Sequence, residues 1–274
     1  MPRIAVTADL HFDRQGYLTS PEVVDGLAAR IHAAKPDAVI IAGDVGHPSD
    51  NFASCLAAFR HFMVPVAVLA GNHDVWRDNE GGWSSRELWN RRLASLVEAA
   101  GFVWLESTVL RLGDAAVVGS LAWYDYSAAP PTLARPPEYF AGMKRHLSND
   151  ATWIDWPWSD VELASALHDG LVQRLEAVEA DAGIREVLLV THVPLFEEQM
   201  LRKPGDLRWE ISNAYYGNFT IGLAVRRFKK VVRVISGHTH CAQRGVVHRA
   251  GGPDLPVSVI GSDYGSPEVE VIEL

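Results

Sequence analysis

Asp, Asn and His recur in five short clusters, each placed where an apolar run ends. They are Asp9 and His11 in ADLH, Asp44 in AGDV, Asn72, His73 and Asp74 in GNHD, His192 in THVP, and His238 and His240 in GHTH. Carboxylate, amide oxygen and imidazole without thiolate form a hard to borderline donor set. Such a set suits Mn, Fe, Zn, Ni or Co better than a soft metal or an iron–sulfur cluster. One histidine at a strand end is ordinarily a hydrogen-bonded structural residue, but five clusters in one chain make coincidence a poor explanation. Side chains alternate along a strand, so Asp9 and His11 in D-x-H face the same way and can bind one ion; His238 and His240 repeat the spacing. Together the clusters predict ligands for two metal ions.

The elements that must carry these residues are legible as apolar runs: IAVTAD, AVIIAGD, VAVLAGNHD, VLLVTH and VVRVISGH. The first third alternates strands near 3–8, 37–42 and 65–70 with helices near 21–34 and 52–63. Ser20-Pro21 supplies an N-cap followed by proline at the first helical position. That alternation is the mark of βαβ units and a parallel-rich sheet, which places ligands at the carboxyl ends of its strands. A helix near 84–100 follows, then strands near 102–105, 107–112 and 114–120, a helix near 160–182 and a strand near 186–191. Strands near 231–236, 243–249, 256–260 and 267–273 close the chain. Two layers of mixed sheet flanked by helices accommodate this α/β order.

The succession D-x-H, GD, GNHD, H and GHTH, running from Asp9 to His240, resembles the calcineurin-like metallophosphoesterase superfamily. The resemblance implies a four-layer αββα sandwich with Asp9, His11, Asp44 and His240 on one ion and Asp44, Asn72, His192 and His238 on the other. Asp44 would bridge. The metals would be divalent or trivalent transition ions, with Mn or Fe favoured, and His73 matches the histidine beside the scissile phosphate. One departure bears on mechanism. Many members carry GDxxD or GDxxE at the second motif, where the last acid can orient that histidine, whereas this chain reads GDVGH with His47 in its place. Asp74 and Asp50 are the candidate partners of His73, and His47 either faces the substrate or is a solvated loop residue.

The expected activity is hydrolysis of a phosphodiester or phosphomonoester, with diesters slightly favoured and a nucleotide or small phosphorylated metabolite as substrate. Two ions about 3.5–4 Å apart can share a hydroxide that attacks phosphorus while His73 protonates or hydrogen-bonds the leaving oxygen. A phosphoprotein phosphatase or a nuclease of the same superfamily is the alternative enzyme. A non-catalytic binding module is disfavoured, because every expected position is filled.

The chain has 274 residues, 48% apolar and 22% charged, which suits one large globular domain over 1–274. A net charge of −9 disfavours a broad nucleic-acid surface. The one dense basic run, Arg226, Arg227, Lys229, Lys230 and Arg233, reads as a cationic helix terminus. Two cysteines, Cys55 and Cys241, no leader-like N-terminus and no bilayer-length apolar run make a cytoplasmic location the expectation. Two segments interrupt the plan. Residues 121–159 hold four of the nine tryptophans and read as a long irregular, aromatic-rich loop, and 194–218 forms a second loop beside His192. Within the first, Trp153, Trp156 and Trp158 are expected to pack on one another, and one or two of Trp123, Tyr124, Asp125 and Tyr126 to reach the pocket rim.

Overall fold

The computed structural model describes residues 1–13 and 19–274. Its strands fall where the apolar runs predict. They are β1 (Arg3–Thr7), β2 (Ala38–Ala42), β3 (Val66–Leu69), β4 (Val103–Trp104), β5 (Leu110–Leu112), β6 (Ala115–Ser120), β7 (Glu186–Thr191), β8 (Val231–Ser236), β9 (Gln243–Val247), β10 (Leu255–Val259) and β11 (Val269–Glu273). One mixed sheet has the order β11-β1-β2-β3-β4 and the other β5-β6-β7-β8-β10-β9. In each, the strands that lead to the predicted ligands are neighbours and parallel: β1, β2 and β3 in the first, β7 and β8 in the second.

Period-two alternation explains the four layers. Ile4, Val6, Ile40 and Leu69 from the first sheet meet Val117, Leu188, Val190 and Ile235 from the second in one buried cluster, so these faces pack on each other. The intervening residues Ala5, Val39, Ile41 and Val68 turn outward. They join a cluster with Val24, Leu27 and Ile31 of the helix Pro21–Ala33, while Leu171, Leu175 and Val178 of the helix Asp160–Ala180 cover the far side of the second sheet. Each fully buried Leu or Ile contributes about 1.5–3 kcal/mol of transfer free energy. Both faces of the central strands are therefore committed, and it is their ends that remain for polar chemistry.

Several elements differ from the sequence expectation. The helix near 52–63 is Ser49–Ala57, and the one near 84–100 is interrupted by a π-helical turn at Leu88–Arg92. The segment 121–159 is not irregular throughout: it contains helices at Pro137–Leu147 and Asp150–Trp153. Proline at N1 starts the first of these, and the aromatics obscured its period. The segment 194–218 likewise holds a helix, Leu207–Ser212, capped by the Asp206 side chain. The basic run is spent on structure: Arg227 pairs with Glu176 at 2.7 Å and the Lys230 ammonium donates to the Val178 and Asp181 carbonyls. None of the described helices is long and apolar enough to cross a membrane.

Glu106, between β4 and β5, carries a stability cost. Its Oε1 accepts the Ala70 N–H at 3.2 Å, but the enclosed Oε2 has no hydrogen-bond partner. Burial pushes its carboxyl up to about 7, against the opposing pull of Arg174. Folding therefore takes up a proton between the unfolded value of 4.5 and about 7, so this group's destabilisation is absent below that window and complete above it. Glu106→Gln should gain about 1–3 kcal/mol over the parent at pH 8. That corresponds to a melting temperature higher by at least about 2–4 °C, with almost no difference at pH 4.5. Thermal unfolding of both proteins at both pH values checks this; an equal difference at the two would contradict it.

Candidate metal centre

The predicted ligands stand just beyond the strands that deliver them. β1 ends at Thr7, so strand alternation does not align Asp9 with His11 as expected; the backbone leaves the sheet and takes left-handed φ values of 56° and 44° at these residues. Asp44 (49°), His238 (73°) and His240 (55°) do the same. Such conformations cost a non-glycine residue about 1 kcal/mol or more each and cluster where surrounding contacts over-determine them. The contacts here are the Asp9 N–H to Gly43 O (3.0 Å) and the His11 N–H to Asp44 O (2.9 Å), which lace the first two loops together. Gly71 permits the closest approach. A Cβ there would lie 2.0 Å from Asp44 Oδ1 and 2.2 Å from Asp44 N.

Hydrogen bonds fix where several lone pairs point. His192 Nδ1 lies 3.0 Å from the Ala42 carbonyl and His238 Nε2 2.9 Å from the Tyr215 carbonyl. A carbonyl only accepts, so these nitrogens carry the protons and leave His192 Nε2 and His238 Nδ1 as acceptors in the neutral rings. Both acceptors sit 3.0 Å from Asn72 Oδ1, whose orientation is set by Asn72 Nδ2 donating to Asp150 Oδ1 at 2.9 Å. Asp44 Oδ2 lies 3.5 Å from His192 Nε2. With both rings neutral, these four donor atoms converge without a proton among them, which fits a cation in the proton's place.

A second group meets the first at Asp44. His11 Nε2 is 3.1 Å from His240 Nε2 and 3.6 Å from Asp44 Oδ2. Asp9, His11 and His240 offer ligand atoms within 4.8 Å of one another, as do Asp9, Asp44 and His192. Without metal, a proton does part of this work. Burial opposes a charge on His192, but Asp44 beside it raises the ring to about 9. Burial and the His192 charge push His238 down to about 4. Burial also works against the Asp44 carboxylate, yet the surrounding histidines hold it well below its ordinary range.

His73 stands at the edge of this cradle, its ring stacked on Trp76 with centroids 3.6 Å apart and its backbone N–H donating to Asp44 Oδ1 at 2.9 Å. The expected partners of its ring lie elsewhere. Asp74 is buried and accepts the N–H groups of Val45, Gly46 and Gly71, so it ties the second and third loops together rather than facing the reaction space. Asp50 is exposed and pairs with Arg92. The carboxylate nearest His73 Nδ1 belongs to Asp13, with Oδ2 at 3.7 Å. His47 is half-buried: it lies edge-on to Trp76 and Trp153 and lines a cavity of about 410 Å³.

That cavity and a smaller cleft of about 230 Å³ over the ligands share His73, Trp76, Asn149 and Tyr264 as walls. The aromatic expectations are corrected here. Trp123 and Tyr124 are fully buried and Tyr126 nearly so, not on the rim. Trp123 Nε1 donates to Asp160 at 2.7 Å, and Tyr124 OH donates to Asp150 at 2.7 Å. Trp156 and Trp158 do pack together, whereas Trp153 lines the larger cavity. Sequence reasoning missed Tyr264, whose ring lies 4.7 Å from His11 and 4.8 Å from His240, because it sits in a turn far from every motif.

Asp150 was also missed. It accepts from Asn72 Nδ2, Trp76 Nε1 (2.7 Å) and Tyr124 OH, so it holds both the amide ligand and the ring beneath His73. Its only sequence signal is an acid inside the aromatic segment. Asp150→Asn should lower affinity for the ion beside Asn72 by about 10–100-fold, as partners of metal ligands commonly do. Competition against a chelator measures this, and unchanged affinity in the folded variant would refute the assignment.

The model of the calcineurin-like phosphoesterase family matches residues 2–242. The chain belongs to this family of metal-dependent hydrolases acting on phosphoric esters. Among solved structures it is similar to the phosphopantetheinyl hydrolase of Mycobacterium tuberculosis, at 22% identity and a TM-score of 0.72, over 96% of this chain and 90% of that one. It is also similar to a dimetal phosphatase from Danio rerio, at 16% identity and a TM-score of 0.54, over 95% and 88% of the two chains. At these identities the likeness concerns the fold. No curated protein matches the chain.

Proposed function

We propose that this protein is a two-metal phosphodiesterase acting on a small phosphorylated metabolite or a nucleotide. Asp9, His11, Asp44 and His240 would hold one ion, and Asp44, Asn72, His192 and His238 the other. The observation that carries the metal reading is the convergence, next to Asp44, of Asn72 Oδ1 with His192 Nε2 and His238 Nδ1, the nitrogens left as acceptors when both rings are neutral. Bound there, the ions supply Lewis acidity and a lowered pKa for water; Mn or Fe suits the mixed oxygen and imidazole set.

The diester preference rests on the two cavities. A phosphate over the ligands has room for one substituent in the cleft bounded by Ser148, Tyr215 and Tyr216 and for the other in the larger cavity beyond His73. His73 lies between them, placed to donate to the leaving oxygen. Trp76 and Trp153, with ring planes 18° apart, offer the second substituent an apolar wall. The net charge of −9 speaks against long nucleic acid. Both cysteines are free thiols, in keeping with a cytoplasmic enzyme.

The test is hydrolysis of bis-p-nitrophenyl phosphate, nucleotide diesters and phosphopantetheinyl compounds by chelator-stripped protein reloaded with Mn²⁺. The reloaded parent should turn over diesters and Asp44→Asn should lose at least about 100-fold. His73→Ala should lose about 10²–10⁴-fold in turnover at full metal content. Monoester turnover without diester turnover would overturn the diester reading, and full activity of Asp44→Asn the two-metal reading.

A further inference from the structure

The second motif of this chain reads GDVGH, so His47 stands where many calcineurin-like members carry the acid that can orient the histidine beside the phosphate. His73 Nδ1 is buried and makes no hydrogen bond within 3.5 Å. A buried imidazole nitrogen without a partner leaves the tautomer of the ring unfixed, which a proton donor to a leaving group does not tolerate. The space beside it is not vacant. Asp13 Oδ2 lies 3.7 Å away, and catalytic hydrogen bonds of this length in unliganded enzymes commonly tighten when substrate binds.

Asp13 is itself held in place. Its Oδ1 accepts the backbone N–H of His47 at 2.8 Å, so the residue at the family's acid position anchors the carboxylate instead of supplying it. Its Oδ2 also lies 3.4 Å from His11 Nδ1. That nitrogen faces away from the His11 Nε2 to His240 contact, so one carboxylate oxygen stands between a ligand histidine and His73. Asp13 extends the first motif from D-x-H to D-x-H-x-D, and the same loop therefore brings two candidate ligands and a second carboxylate to the site.

We propose that Asp13 is the positioning residue of His73, replacing the acid this chain lacks at position 47. Its carboxylate accepts Nδ1–H and turns Nε2 toward the leaving oxygen; the inference rests on the hydrolase reading given above. In the imidazolium form, Nε2–H passes its proton to the leaving oxygen as the P–O bond breaks. The ring is left neutral with the proton still on Nδ1; water gives phosphorus the entering hydroxide, and its remaining proton returns to Nε2 to restore the imidazolium.

Two measurements test this, one of them independent of turnover. In the Zn²⁺-loaded protein, ¹⁵N spectra of the histidine rings should show neutral His73 as the Nδ1–H tautomer, its signal identified by loss in His73→Gln. Asp13→Ala should shift that ring to a mixture or to the Nε2–H form. At saturating Mn²⁺, Asp13→Asn should reduce kcat by about 10²-fold with little change in KM, and more for phenyl than for p-nitrophenyl diesters. Placed in the His73→Ala background, the same substitution should cost less than about 3-fold, because the two residues act as a unit. An equal loss in both backgrounds would assign Asp13 to His11 and the metal instead, and an unchanged tautomer in Asp13→Ala would overturn the proposal even if no substrate were turned over.

Discussion

Everything around the site depends on one carboxylate. Asp44 sits where the two sheets' strand ends meet, with Oδ2 within 3.6 Å of His11 and 3.5 Å of His192, and Oδ1 taking the N–H of His73. It is buried, so an unpaired negative charge there would be prohibitively costly. Cationic company is a requirement of the fold as much as of the chemistry. Protonated imidazole meets it in part, and a pair of metal ions would meet it more completely, since neutral His238 and Asn72 also direct lone pairs into the same space.

Holding so many acceptors together costs backbone energy, and the surrounding packing offsets it. Asp9, His11, Asp44, His238 and His240 all take left-handed conformations that side chains disfavour. The loops that contain them are tied by Asp74, which accepts three amides from two loops, and by Asp9, whose carboxylate accepts the His238 N–H. Beneath them, Asp150 and Asp160 anchor the aromatic segment, and Lys144, at 2.6 Å from Asp160, balances the buried charge. The residues 121–159 thus serve largely as a second core that supports the cradle from behind. Trp153 alone of their tryptophans turns toward the larger cavity.

The strands, their parallel order and the gathering of the candidate ligands at the strand ends were legible because each depends on local signals: apolar runs of strand length, glycine before the acid, and polar residues at the run's end. Trp123 and Tyr124 were misplaced for a physical reason. Aromatics with polar tips look alike in sequence whether the tip meets water or a buried carboxylate, and here Asp160 and Asp150 supply the carboxylates. Asp13 and Tyr264 were hidden differently. Their relation to His73 and His11 is set by how loops fold back over the sheet ends, and neither spacing nor periodicity records that. The Asp74 reading failed because adjacency to His73 in sequence turned its side chain the other way, toward the amides of its own and the neighbouring loop.

Anomalous diffraction from Mn²⁺-loaded crystals, with the metal content counted in solution, tests the central claim most directly. The account predicts two manganese peaks per chain about 3.5–4 Å apart, both touching Asp44, with His192 and His238 on one and His11 and His240 on the other. No peak at Asp44 in a folded, metal-saturated protein, or ions held only at other residues, would contradict it.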